Sequence, residues 1–153
     1  MARELQTMVE ISASPDQVWQ VLTDFDAWPD WNVADPGFVG EMHEGAEVEL
    51  TSTSPSGKRS QVRITLISVE PNRQLSWESS LPLLFKARHT YRIEAQNGNC
   101  TFYNEAGFWG ILAHFISKQL PTEEMFKETN LILIILFYLD AIDRYYMSLD
   151  DRR

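Results

Sequence analysis

The sequence is poor in the residues that build covalent or metal staples, with one cysteine and three histidines. One thiol cannot close an intrachain disulfide, and so few Cys and His exclude the Cys-rich structural zinc sites. Basic residues are also scarce: 13 Lys and Arg face 22 Asp and Glu, for a net charge of −9. That balance repels phosphate backbones and argues against nonspecific nucleic-acid binding and against anchoring to anionic lipid surfaces, and no stable membrane insertion is expected. Long apolar runs are missing. The longest, Leu131–Leu139, falls well short of the ~20 residues of a spanning helix. Met1–Thr7 carries no apolar core of a secretory signal, so with one lone thiol the expected compartment is cytoplasmic. Gly-x-Ser-x-Gly, the P-loop and Gly-x-Gly-x-x-Gly are absent, as are His-x₃-His and His-Glu-x-x-His. Nucleotide, hydrolase and metal chemistry therefore have no motif, and neither a cofactor nor a metal is expected.

What is present is an ordinary globular composition, 44% hydrophobic and 23% charged over 153 residues. It is enough for one domain, 1–153, with a sizeable core. Leu5, Thr7, Val9 and Ile11 alternate as one face of a strand. Ser14-Pro15-Asp16-Gln17 then reads as a capping box with proline at the first helical position, opening a helix to about Asp24. Trp28-Pro29-Asp30-Trp31-Asn32 suits a second short helix or turn. Val48 and Leu50 alternate with acids, and Val62, Ile64 and Leu66 alternate with Arg63 and Thr65 before the phase slips at Ile67 and Val69. Such a slip predicts a β-bulge. Leu75, Trp77 and Ser79 form a further strand face, as do His89, Tyr91 and Ile93. Asn97-Gly98 predicts a hairpin. It leads into a strand with Cys100, Phe102, Asn104, Ala106 and Phe108 on one face. Beyond Trp109 the period is helical, with a break at Pro121 and a stripe of Leu131, Ile134, Ile135, Tyr138, Ile142, Tyr145 and Leu149 expected to face the sheet.

Runs of hairpin-linked strands closed by one long helix predict an α+β domain with an antiparallel sheet. The segment Val9–Phe25 through Trp28-Pro29-Asp30-Trp31-Asn32, with Leu75-Ser76-Trp77, His89-Thr90-Tyr91-Arg92-Ile93 and Phe108-Trp109-Gly110, resembles the START-like (SRPBCC, polyketide cyclase/dehydrase-like) superfamily over nearly the whole chain. The resemblance implies a helix-grip fold: a curved antiparallel sheet wrapped around the long C-terminal helix. It also implies a hydrophobic ligand such as a lipid, sterol or polyketide. Fold alone does not separate binders from aromatase/cyclase enzymes.

The strand phases propose a ligand-binding set of Trp31, Leu50, Ile64, Leu66, Trp77, His89, Tyr91, Phe102, Asn104 and Phe108, facing Ile134, Ile135, Tyr138 and Ile142. The bland reading makes these ordinary core. His89 and Asn104 are the polar members and either orient a ligand or satisfy the backbone. His89 is the one candidate acid or base, with no carboxylate tied to it by local sequence. Trp28 and Trp31 read as pins of the short helix or as an aromatic lid, and Asn32 as a cap or turn. His43 and His114 read as surface residues, and Cys100 as a small buried hydrophobe. The apolar belt Leu131–Leu139 and the loop Leu81–Phe85 either pack together or form an exposed patch for a homodimer or a membrane encounter. Three functions follow: a binder of a small hydrophobic ligand, a cyclase- or dehydratase-type enzyme using the same cavity, or an interaction module.

Overall fold

The computed structural model describes residues 2–150, and side chains through residue 140. The chain runs β1 (Ala2–Ile11), α1 (Pro15–Thr23), a 3-10 turn (Phe25–Ala27), α2 (Trp28–Trp31), β2 (Gly37–Val39), β3 (Glu47–Thr53), β4 (Arg59–Glu70), β5 (Gln74–Leu81), β6 (Phe85–Gln96), β7 (Asn99–Trp109), α3 (Ile111–Phe115) and α4 (Glu123–Asp150). The strands make one antiparallel sheet in the order β1-β7-β6-β5-β4-β3-β2. Its ends are the first two strands, brought to opposite edges by the helices between them. The α4 helix packs across the inner face near β1 and α2. This is the helix-grip arrangement.

Local chemistry accounts for the boundaries. Ser14 Oγ accepts from the Gln17 amide at 3.3 Å and the Gln17 side chain accepts from the Ser14 amide at 3.0 Å, closing the capping box. The phase slip in β4 is a bulge: the register with β5 shifts between Leu66 and Ser68, and a bulge bends a sheet. Asn97 and Gly98 both have positive φ, 48° and 87°, the geometry of the tight hairpin between β6 and β7. The helical stretch after Trp109 divides at Pro121, giving the short α3 and the long α4.

The interior has two parts. One is dense with rings: Trp28 lies 5.2 Å from Phe25, 5.8 Å from Trp31, 5.2 Å from Phe38 and 5.9 Å from Trp77. The other, beside α3 and the start of α4, is built on Leu5, Ala34, Ala106, Phe108, Ala113, Leu120, Met125 and Phe126.

The face of α4 turned to the sheet differs from the expected stripe. Phe126, Thr129, Asn130 and Leu133 are buried, whereas Ile135 and Tyr138 are 46% and 66% exposed. The inward face carries two polar residues, so an apolar periodicity picks out the opposite side. Leu131 and Leu139 are exposed too. Tyr145 and Leu149, like Ile142, lie outside the residues whose side chains are described.

Candidate functional site

Between the inner face of the sheet and the connection from α3 to α4 lies a cavity of about 280 Å³. Strand alternation supplies its walls, because i and i+2 share a face. β3 contributes Leu50 and Ser52, β4 contributes Ser60, Val62 and Ile64, and β5 contributes Trp77 and Ser79. Phe85, Ala87 and His89 come from β6, and Ala106 and Phe108 from β7. Ile116, Gln119, Leu120 and Pro121 close the helical side. The deep part is apolar and buried. Toward the β3–β4 hairpin the lining turns to hydroxyls, Ser52, Ser54 and Ser60, and ends at the exposed Lys58.

Two buried polar groups interrupt the apolar wall, Asp35 and His89. Asp35 Oδ2 lies 3.2 Å from His89 Nδ1. The loop before β2 holds the carboxylate in place. The Asp35 amide donates to Asn32 Oδ1 at 2.9 Å, and Asn32 Nδ2 donates to the Tyr91 hydroxyl at 2.8 Å. The same loop is tied to α4 by the Val33 amide donating to Thr129 Oγ1, and to β3 by the Thr53 amide donating to the Ala34 carbonyl. Burial above all, then the nearby Asp35 charge, holds the Tyr91 hydroxyl well above its ordinary pKa, with the Asn32 bond acting the other way. Tyr91 is therefore a neutral phenol.

On its far side His89 joins a chain of amides. Nε2 sits 2.7 Å from Asn104 Oδ1, Asn104 Nδ2 donates to Asn130 Oδ1 at 3.2 Å, and Asn130 Nδ2 donates to Thr7 Oγ1 at 2.9 Å. The chain ends where the Thr7 hydroxyl donates to the Asn104 main-chain carbonyl at 3.0 Å. A carbonyl only accepts, so Thr7 spends its single proton there and the amides upstream take the orientation just given. Nε2 then donates to Asn104. Both ring nitrogens thus face oxygen. The ring itself is clamped, stacked on Phe126 at 4.9 Å and tilted against Trp77 at 4.4 Å.

Of the residues proposed from sequence, Leu50, Ile64, Trp77, His89 and Phe108 border this cavity. Trp31, Leu66, Tyr91 and Phe102 are instead packed in the ring-dense core. Asn104 stands behind His89 rather than at the wall. Ile134 packs partly on the core and borders a shallow groove beside β1, and Ile135 and Tyr138 face outward, because the inward side of α4 is the one carrying Phe126, Thr129, Asn130 and Leu133. Ile142 lies outside the described side chains. Trp28 and Trp31 are buried pins rather than a lid at the mouth. His43 and His114 are exposed, and burial pushes the Cys100 thiol up, away from nucleophilic use. Among the described residues no cluster of His, Cys, Asp or Glu could hold a metal ion.

Asp35 is the residue that sequence reading missed. It sits in an Asp-Pro-Gly turn and meets a histidine on β6 only through tertiary structure. The one available signal was its place between Trp31 and Phe38, two large apolar residues that draw the intervening loop inward.

The profile described as polyketide cyclase/dehydrase and lipid transport matches residues 2–127. The chain belongs to that family. No curated protein matches significantly. Among solved structures, a Rhodobacter sphaeroides protein superposes with a TM-score of 0.68 at 18% identity, covering 93% of this chain and 99% of that one. The di-domain ARO/CYC StfQ from the steffimycin biosynthetic pathway gives 0.68 at 10% identity, over 92% of this chain and 52% of the longer one. Ara h 8.0201 gives 0.56 at 13% identity, over 87% and 98%. At such identities the likeness concerns the fold. The family description names polyketide cyclases, dehydrases and lipid transport, and the neighbours share the helix-grip fold. No helix among the described residues is long and apolar enough to cross a membrane.

Proposed function

We propose that this chain binds a small, mainly apolar ligand in the cavity between the sheet and the α3–α4 connection. The observation that carries the reading is the wall itself: an apolar hollow with one buried polar pair, Asp35–His89, and a hydroxyl rim ending at Lys58. Apolar burial supplies affinity and a few placed polar groups supply orientation. A ligand with a carbonyl or hydroxyl part-way along its body would meet Asp35 and His89, and its more polar end would lie among Ser52, Ser54 and Ser60. The test is mass spectrometry of small molecules released by organic solvent from the purified protein, beside the Ala106→Phe variant, whose ring fills the hollow. The reading expects an apolar compound from the parent that the variant has lost. Recovery of the same compound from both, or of none even after incubation with a lipid extract, contradicts it.

The buried contact between Asp35 and His89 favours one alternative, an enzyme of the aromatase/cyclase or dehydratase type. There the pair would protonate a carbonyl or departing hydroxyl oxygen and take a proton back from carbon. With any substrate turned over, Asp35→Asn and His89→Gln would each lose roughly 10²–10⁴-fold in kcat. Unchanged turnover rules this alternative out.

A further inference from the structure

The tip of the β5–β6 hairpin is built against its own stability. Leu81-Pro82-Leu83-Leu84 forms a turn closed by the Leu84 amide donating to the Leu81 carbonyl at 3.0 Å. Pro82 stands at its second position and Leu83 at its third with φ 64°, a type II turn, whose third position favours glycine or asparagine. A leucine held there carries backbone strain. Leu83 gains nothing in return, because it is 100% exposed. Neither local conformation nor packing within the chain accounts for a leucine at this position.

The tip does not stand alone. Gly110, at φ 99°, approaches the Leu84 carbonyl so closely that a Cβ would lie 2.3 Å from it, and the Leu112 amide donates to that carbonyl at 3.1 Å. The start of α3 is thereby seated on the hairpin. Ile111 and Phe115, one turn apart on α3, are 66% and 74% exposed. Scattered apolar residues on a surface need no explanation, but a clustered protrusion does. Their sequence neighbours lead inward: Phe85 follows Leu84, Ile116 follows Phe115, and both line the cavity.

Charge separates this end from the rest of the molecule. The chain carries 22 acids, yet none lies between Glu78 and Glu94 or between Glu105 and Glu123. The exposed tip residues Leu83, Ile111 and Phe115 come from these two segments. Lys118, three residues beyond Phe115, and Lys58, at the cavity rim, have no acidic partner among the described residues, while Lys86 bridges to Glu78 at 3.3 Å. The overall charge of −9 therefore does not describe the surface around the cavity.

We infer that Leu83, Ile111 and Phe115 form a docking tip for the surface of a phospholipid bilayer containing anionic lipid, placed so that an apolar ligand passes between membrane and cavity. The three side chains enter the headgroup–acyl boundary, and Lys118 and Lys58 meet anionic headgroups. The inference rests on the apolar-ligand reading for what is exchanged, but docking itself is measurable with the cavity empty.

The decisive variant is Leu83→Gly. Glycine suits φ 64°, so the melting temperature stays level or rises, while co-sedimentation with vesicles of phosphatidylcholine and phosphatidylglycerol weakens roughly tenfold or more. Phe115→Ser weakens it as well, and vesicles of phosphatidylcholine alone bind less than mixed ones. Displacement of a fluorescent apolar dye in vesicle-free buffer reports the cavity separately and is unchanged in Leu83→Gly. The inference is overturned if the parent protein stays in the supernatant with mixed vesicles, or if Leu83→Gly sediments equally well. It is also overturned if Leu83→Gly lowers the melting temperature, which would make the leucine structural. A parent dimer that Leu83→Gly splits, with no vesicle binding, would assign the tip to a second copy instead.

Discussion

The two ends of the grip are filled in opposite ways. At one end Phe25, Trp28, Trp31, Phe38 and Tyr91 pack ring against ring, with Trp77 between them and the cavity. At the other, Ala87 and Ala106 line the wall where larger side chains would meet, and a hollow remains. The same sheet serves both ends. Side-chain volume, not backbone architecture, decides which end can accept a guest. The buried Asp35–His89 pair lies at the alanine end, where a guest would lie against it, with the amide chain behind His89, and Asn32 links the Asp35 loop to Tyr91 at the aromatic end.

This contrast can be broken in several ways. Trp28→Ala removes a fully buried indole that touches five rings and donates from Nε1 to the Leu22 carbonyl at 3.0 Å. Urea unfolding should show a loss of roughly 3–5 kcal/mol. Phe108→Ala should lose less, because that ring already borders empty space. Equal losses would mean that the hollow is closed in solution. Asn104→Ala leaves His89 Nε2 and Asn130 Oδ1 without their partners, and each orphan costs about 1–3 kcal/mol. Combining it with Asn130→Ala should cost less than the sum, since both break one chain. Strict additivity would refute the amide relay.

A smaller effect sharpens the comparison. A ring added at Ala106 enters existing space, so Ala106→Phe should shift stability by less than about 1 kcal/mol, while Ala13→Phe in the ring-dense core should cost about 1–3 kcal/mol. The smallest effect is alkaline. The folded Tyr91 keeps its proton to higher pH than the unfolded chain does. Above about pH 10 the unfolded state releases that proton first, so stability falls as pH rises. The slope of stability against pH there should flatten in Tyr91→Phe; an unchanged slope would place its origin elsewhere.

Much of the fold could be read from local chemistry. The Ser14–Gln17 box, the Asn97-Gly98 hairpin and the bulge after Leu66 are written in neighbouring residues, and alternation alone assigned Leu5, Thr7 and Ile11 to the inner face. The orientation of α4 was not legible, because its inward face is polar at Thr129 and Asn130. Those residues answer Val33 and Asn104, more than 20 positions away. Asp35 was hidden for the same reason. A contact made across the fold leaves no local signal at Asp35, although His89 was assigned by strand phase. The cavity's outline was half legible, since strand phase says which residues face inward but not where their volumes fail to meet.

The central claim is that the alanine end takes a guest and the aromatic end does not. Titrating the isotope-labelled protein with a soluble apolar fluorophore and following backbone and side-chain resonances tests it most directly. Shifts should concentrate at Leu50, Ile64, Ala87, His89, Ala106 and Phe108, with Trp28, Phe38 and Phe102 still. Shifts centred on the aromatic cluster, or saturating binding that leaves Ala87 and Ala106 unmoved, would contradict it.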